Sequence, residues 1–120
     1  MTKYIYTDAF SENLLLESIY IPDSVIGIQS LAFYNCTKLE DVRLSNNLSY
    51  ITGQAFGNCT SLKELIIPKS IKHIGTWVFS ECTNLEKVYY TGTEEDWLNI
   101  EIFGSNEYFI DAKRYYNSDN

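Results

Sequence analysis

The sequence predicts a repeat solenoid: short coils of one fixed length stacked on one another, with a parallel β-sheet on one face and a back of turns or short helices. Three observations predict it. Cys36, Cys59 and Cys82 are evenly spaced, which sets a repeat period of 23. Written on that period, Glu17–Leu39, Glu40–Leu62 and Lys63–Leu85 align without a gap. The alignment then sorts apolar residues into columns: Ile19, Val42, Leu65 and Val88; Ile21, Leu44, Ile67 and Tyr90; Val25, Leu48 and Ile71. Three more follow: Ile5, Ile28, Ile51, Ile74 and Trp97; Phe10, Phe33, Phe56 and Phe79; Leu16, Leu39, Leu62 and Leu85. A coil this short cannot enclose its own core, so each must bury its apolar edge against a neighbour.

The 120 residues read as one domain. Residues 2–16 are a degenerate N-terminal half repeat; 17–39, 40–62 and 63–85 are full repeats; 86–120 hold a partial repeat and a C-terminal cap. Within each coil the alternation at Ile19/Ile21, Val42/Leu44, Leu65/Ile67 and Val88/Tyr90 reads as a short strand. Pro22 and Pro68 fall just beyond their strands, where no ladder N–H is needed. The segments "IQSLAF", "ITGQAF" and "IGTWVF" read as a strand-like piece at the isoleucine, then a tight helical turn carrying phenylalanine inward. "TEEDW" reads as a helix start, with Thr93 as N-cap and Glu94, Glu95 and Asp96 in a first turn that favours negative charge. Trp97 and Ile100 would then face the last coil. With a final strand near Ala112–Tyr116, the sheet has four or five strands and a cap of one helix plus that strand. Residues 2–16 supply no strand to pair with Ile19–Ile21, so the N-terminal sheet edge is expected to be open, and a homodimer through that edge would cover it.

Composition removes whole classes of function. Nine basic against sixteen acidic residues give a net charge of −7, which cannot supply the Lys/Arg stripe that nucleic acid requires. Apolar runs are a few residues long, so no membrane-inserted helix is expected. The N-terminus lacks a signal-peptide pattern, which implies a cytoplasmic chain if Met1 is the true start, or else a piece of something longer.

Catalytic and metal chemistry are not expected. His73 is the only histidine and aligns with Gly27 and Tyr50 in an unconstrained column, so no triad or His-based metal site can be assembled. The cysteines have no near neighbour of ligand type, and neither phosphate-binding glycine loops nor a nucleophile elbow occur. No cofactor is called for. A disulfide between stacked coils fits the distance window, but stacked equivalents point the same way and three cannot pair evenly. Asn13 occupies the cysteine column in the first copy, so the column Asn13, Cys36, Cys59 and Cys82 reads as a structural ladder. Asn35 and Asn58 lie in Asn-Cys-Thr sequons, which the repeat explains without glycosylation.

The outward strand positions are the candidate binding site. Tyr20, Arg43, Ile66 and Tyr89 form one column, flanked by Ser18, Asp41, Glu64 and Lys87. Tyrosine and arginine are enriched at interface hot spots, although strands favour aromatic and branched residues in any case.

The repeat unit, seen in "IPDSVIGIQSLAFYNCTKL" and the Leu-x-x-Val-x-Leu run at Leu39–Leu44, resembles the BspA-like, Treponema pallidum-type leucine-rich repeat. Nearly all of Thr2–Tyr90 follows that pattern, and Val88–Asn117 is similar to the segment that closes many such bacterial proteins. Ser45-Asn46-Asn47 departs from it where the pattern has Pro-x-Ser, and the repeats are few for the family. The resemblance implies a leucine-rich-repeat solenoid, a protein partner, a secreted or cell-surface location and no enzyme activity. It also implies that cysteine or asparagine in the ladder column sits inside the turn and donates to buried carbonyls.

Overall fold

The alternating segments form one parallel sheet, and a second sheet appears that alternation alone does not reveal. The computed structural model describes residues 2–118. In chain order its strands are β1 (Tyr4–Ile5), β2 (Ser18–Tyr20), β3 (Gly27–Ile28), β4 (Asp41–Arg43), β5 (Tyr50–Ile51), β6 (Glu64–Ile67), β7 (His73–Ile74), β8 (Lys87–Tyr90), β9 (Glu101–Ile102) and β10 (Lys113–Tyr115). Helix α1 (Glu94–Trp97) precedes β9 and α2 (Glu107–Asp111) follows it.

The first sheet runs β2-β4-β6-β8-β10, every pair parallel, so the predicted solenoid holds, with five strands where four or five were expected. Its inward row is Ile19, Val42, Leu65, Val88 and Arg114. The second sheet runs β1-β3-β5-β7-β9 on the adjoining side, with the rungs Ile5, Ile28, Ile51, Ile74 and Ile102. One column therefore ends differently from the sequence expectation. Ile102, not Trp97, sits opposite Ile74, because the chain first inserts α1 before resuming the coil.

The third side is built of turns, not of a helical turn. Two residues per coil adopt positive φ: Asp8, Leu31, Gln54 and Trp77 at one position, Glu12, Asn35, Asn58 and Glu81 at the other, all between 57° and 63°. A left-handed residue cannot continue a right-handed helix. The N–H groups of Leu31, Phe33 and Asn35 instead reach across to the carbonyls of Gly53, Ala55 and Gly57, at 3.2, 2.7 and 2.9 Å. The next coil repeats this from Gln54, Phe56 and Asn58. Asparagine tolerates the left-handed region better than most residues, which is the backbone reason for Asn35 and Asn58.

The interior is a set of stacked columns. Phe10, Phe33, Phe56 and Phe79 lie near-parallel with centroids 5.2, 5.0 and 5.7 Å apart, and Phe109 of α2 adds a fifth ring at 4.6 Å. Phe33, Phe56 and Phe79 are fully buried, so truncating any one to alanine costs about 3–5 kcal/mol. Ser45, the departure from proline, is also fully buried. Its hydroxyl donates to the Val25 carbonyl at 2.8 Å and accepts from Asn47 N–H at 3.0 Å, while Asn46 N–H and the Asn47 amide bond to Asp23. That strand exit is tied to the preceding coil by hydrogen bonds.

The two ends differ. At the C-terminal end the cap holds two helices, one more than expected. Thr93 and Asp96 form a reciprocal capping box at α1, and these hydrogen bonds hold the exposed Asp96 carboxyl below its usual range. Trp97 packs edge-on to Tyr90, and the Arg114 guanidinium lies 4.2 Å from the Trp97 ring, closing the end of the apolar column with a cation–π contact. At the N-terminal end the carbonyls of Thr7, Ala9 and Ser11 receive no donor from the described residues. Phe10 is 36% exposed.

Candidate functional site

The parallel register of the first sheet sets the candidate face. Each coil adds one rung about 4.8 Å from the last, and the outward residue of each rung is Tyr20, Arg43, Ile66, Tyr89 and Tyr115. Tyr20 is 63% exposed, Arg43 is exposed, and Ile66, Tyr89 and Tyr115 are half-buried. Tyr115 is the member that sequence reasoning missed. It stacks on Tyr89 with centroids 5.1 Å apart and planes at 16°, and the Lys113 ammonium lies 5.3 Å from its ring. Beside this column runs a charged one: Ser18, Asp41, Glu64, Lys87 and Lys113, acidic toward one end and basic toward the other. Only Glu64 and Lys87 approach each other, at 3.8 Å and in solvent, a pair worth at most about 1 kcal/mol.

The interior ladder does different work. Cys36, Cys59 and Cys82 are buried free thiols, and each Sγ donates to a phenylalanine carbonyl of the preceding coil: Phe10 at 3.1 Å, Phe33 at 3.3 Å, Phe56 at 3.2 Å. Burial pushes all three thiols up, Cys82 to about 12. A thiol so protonated is a poor nucleophile and a poor metal ligand. Asn13 departs from the donor role implied for its column. Its Oδ1 accepts from the Leu15 and Leu16 amides, both at 3.1 Å, because the first coil has no preceding carbonyl to receive a donor.

A separate, backbone ladder runs through the phenylalanine amides, and it ends on Asn106, which sequence reasoning did not single out. In three coils the phenylalanine amide donates to a backbone carbonyl of the next coil. Phe79 has no such coil ahead of it, and its amide donates instead to Asn106 Oδ1 at 2.9 Å. Asn106 Nδ2 donates in turn to the carbonyls of Gly75 and Phe103, at 2.9 and 2.8 Å, with only 3% of the residue exposed. One side chain thus replaces part of a missing coil.

His73 is half-exposed on the second sheet, its Nδ1 3.0 Å from Glu101 Oε1 and its ring against Phe103. Among the described residues no three His, Cys, Asp or Glu side chains converge as a metal site, and no helix is long and apolar enough to cross a membrane.

Stacked parallel coils with a donor ladder and a patterned outer sheet define a repeat protein. The BspA type leucine rich repeat family model matches residues 3–107 in six copies, and the chain belongs to that family. Solved relatives share the fold. A leucine-rich repeat protein from Bacteroides capillosus is 37% identical, over 74% of this chain and 63% of that one, with a TM-score of 0.65. A leucine rich cell surface protein from Faecalibacterium prausnitzii is 29% identical, over 99% of this chain and 34% of that one, with a TM-score of 0.71. The Treponema pallidum leucine-rich repeat protein is 28% identical, over 73% of this chain and 52% of that one, with a TM-score of 0.57. The chain spans between a third and two thirds of the length of these relatives. No curated protein matches it.

Proposed function

We propose that the chain is a non-catalytic binding module of adhesion type, which takes a protein partner on the outer face of the first sheet. The observation that carries this reading is the column Tyr20, Arg43, Ile66, Tyr89 and Tyr115, five rungs with aromatic or arginine side chains at four of them. Tyrosine buries a large area at low entropic cost, and tyrosine and arginine are enriched at measured hot spots. The similarity to a cell surface protein supports a surface location and an extracellular partner. Biolayer interferometry against a panel of purified extracellular proteins tests it, comparing the wild type with Tyr20→Ala/Tyr89→Ala. The proposal expects saturable binding that falls at least tenfold in the double variant while the melting temperature holds. Binding that survives the double variant, or no saturable binding across the panel, contradicts it.

The open N-terminal edge supports a second reading, self-association into a homo-oligomer. Its unpartnered carbonyls and the half-covered Phe10 ring favour an added neighbour. The polarity of the edge limits how. On the turn side its unpartnered backbone carbonyls, those of Thr7, Ala9 and Ser11, would meet the same carbonyls in an identical edge, so a symmetric dimer is better served by pairing through β2. Sedimentation velocity across micromolar concentrations decides this reading, and a strictly monomeric mass rejects it.

A further inference from the structure

The turn side carries a second, unrelated feature. The two left-handed positions of adjacent coils frame a cleft of about 230 Å³ lined by Tyr34, Gln54, Asn58, Trp77, Ser80 and Glu81. Four of these six are left-handed residues: Gln54 and Trp77 from one position, Asn58 and Glu81 from the other. The column between them holds Tyr34, Gly57 and Ser80. Gly57 is what lets Tyr34 lie down: a Cβ there would come within 3.0 and 3.2 Å of the Tyr34 ring. The ring therefore lies along the coil axis and joins Trp77 in walling the cleft.

Trp77 is the informative residue. It is 48% exposed, although its position needs no bulk, since Asp8, Leu31 and Gln54 serve the same backbone role in the other coils. A large aromatic side chain at φ 63° carries a conformational cost that glycine would remove. The core gains little from it. Around the ring stand two amides, a hydroxyl and a carboxylate, with no lysine or arginine in the lining. Asn58 Nδ2 donates to Asn35 Oδ1 at 2.7 Å, which uses one of its two N–H donors and leaves its carbonyl oxygen as an acceptor.

We infer that this cleft binds a neutral pyranose sugar. One face of a pyranose presents C–H bonds polarised by the ring oxygens, which suit the negative face of an indole. Its edge presents hydroxyls that both donate and accept, which suits planar amides and a carboxylate. The volume accommodates one sugar ring, and the cleft is open to solvent. Glu81 and the absence of a basic side chain exclude phosphate, sulfate or uronate groups. This site is on a different side of the coil from the first sheet and does not depend on what that sheet binds.

Trp77 and Trp97 are the two tryptophans, and only Trp77 is substantially exposed, so tryptophan emission reports on the cleft. Methyl glycosides of glucose, galactose, mannose and N-acetylglucosamine, and their short oligomers on an array, are titrated against the wild type, Trp77→Ala and Glu81→Gln. The expected result is a saturable emission change with millimolar affinity for one or more glycosides. It should be weakened severalfold in Glu81→Gln, and retention on the array, which needs no tryptophan reporter, should be abolished in Trp77→Ala. Trp77→Ala should melt within about 3 °C of the wild type, since the side chain lies outside the core. No saturable response to any glycoside, binding that survives Trp77→Ala, or a response to tetramethylammonium alone overturns the inference.

Discussion

Asn106→Ala removes the one side chain that stands in for the missing coil, and its cost follows from three distances. The variant loses the bond from Phe79 N–H and the bonds to the Gly75 and Phe103 carbonyls, all between 2.8 and 2.9 Å. Phe103 is 44% exposed, so its carbonyl regains water. The amide of the fully buried Phe79 and the carbonyl of the buried Gly75 do not. An unsatisfied buried polar group costs about 1–3 kcal/mol, so two cost roughly 2–6 kcal/mol. For a chain of this size about 3 kcal/mol lowers the melting midpoint by roughly 10 °C. Asn106→Asp keeps the acceptor for Phe79 but turns a carboxylate toward the other two carbonyls, so at neutral pH it should be no better than alanine. Asn84→Ala is the control. Its amide donates to Thr60 O at 2.7 Å in solvent, and its loss should cost under about 1 kcal/mol. Urea unfolding followed by circular dichroism measures all three. Equal midpoints for the Asn106→Ala and Asn84→Ala variants would refute the claim that Asn106 closes the backbone ladder.

Two further outcomes follow from the same geometry. The three buried thiols are raised in the folded state, so the unfolded chain releases their protons first. Stability should be flat through neutral pH and fall once pH passes about 9, with a shallower fall in Cys82→Ala; a thiol-specific reagent should find no reactive cysteine in the native protein. Thr93→Ala breaks the capping box of α1 and should cost about 1 kcal/mol in urea unfolding, with the Asp96 carboxyl titrating higher by NMR.

Legibility in the sequence tracked how regularly a feature repeats. The first sheet could be read because its strands alternate and recur at the same constant spacing as the cysteines. Of the second, the repeat showed the strand-like pieces at Ile28, Ile51 and Ile74 but not that they pair into a sheet, because a two-residue strand such as Gly27–Ile28 is too short to alternate. The phenylalanine column was visible, but the left-handed backbone beneath it was not, since the residues there vary from Asp8 to Trp77. Thr93 and Asp96 announced their cap locally. Asn106 and Phe109 did not, because α1 lengthens the path from Ile74 to its partner Ile102 and the period is lost between them. The same break hid Tyr115 from the outer column. Trp77 and Tyr34 escaped notice because their columns hold unlike residues, so no pattern marks the cleft.

Both surfaces rest on one claim, that the coils are held in register by N–H groups donating forward from each phenylalanine, with Asn106 ending the series. Residue-resolved amide hydrogen exchange tests it directly. Phe10, Phe33, Phe56 and Phe79 donate forward at 2.7, 2.7, 2.9 and 2.9 Å, the last to Asn106. Strong protection of Phe33, Phe56 and Phe79 alike, with Phe79 as slow as Phe56, is the predicted result. An amide at Phe79 that exchanges as freely as one in an exposed loop would contradict it.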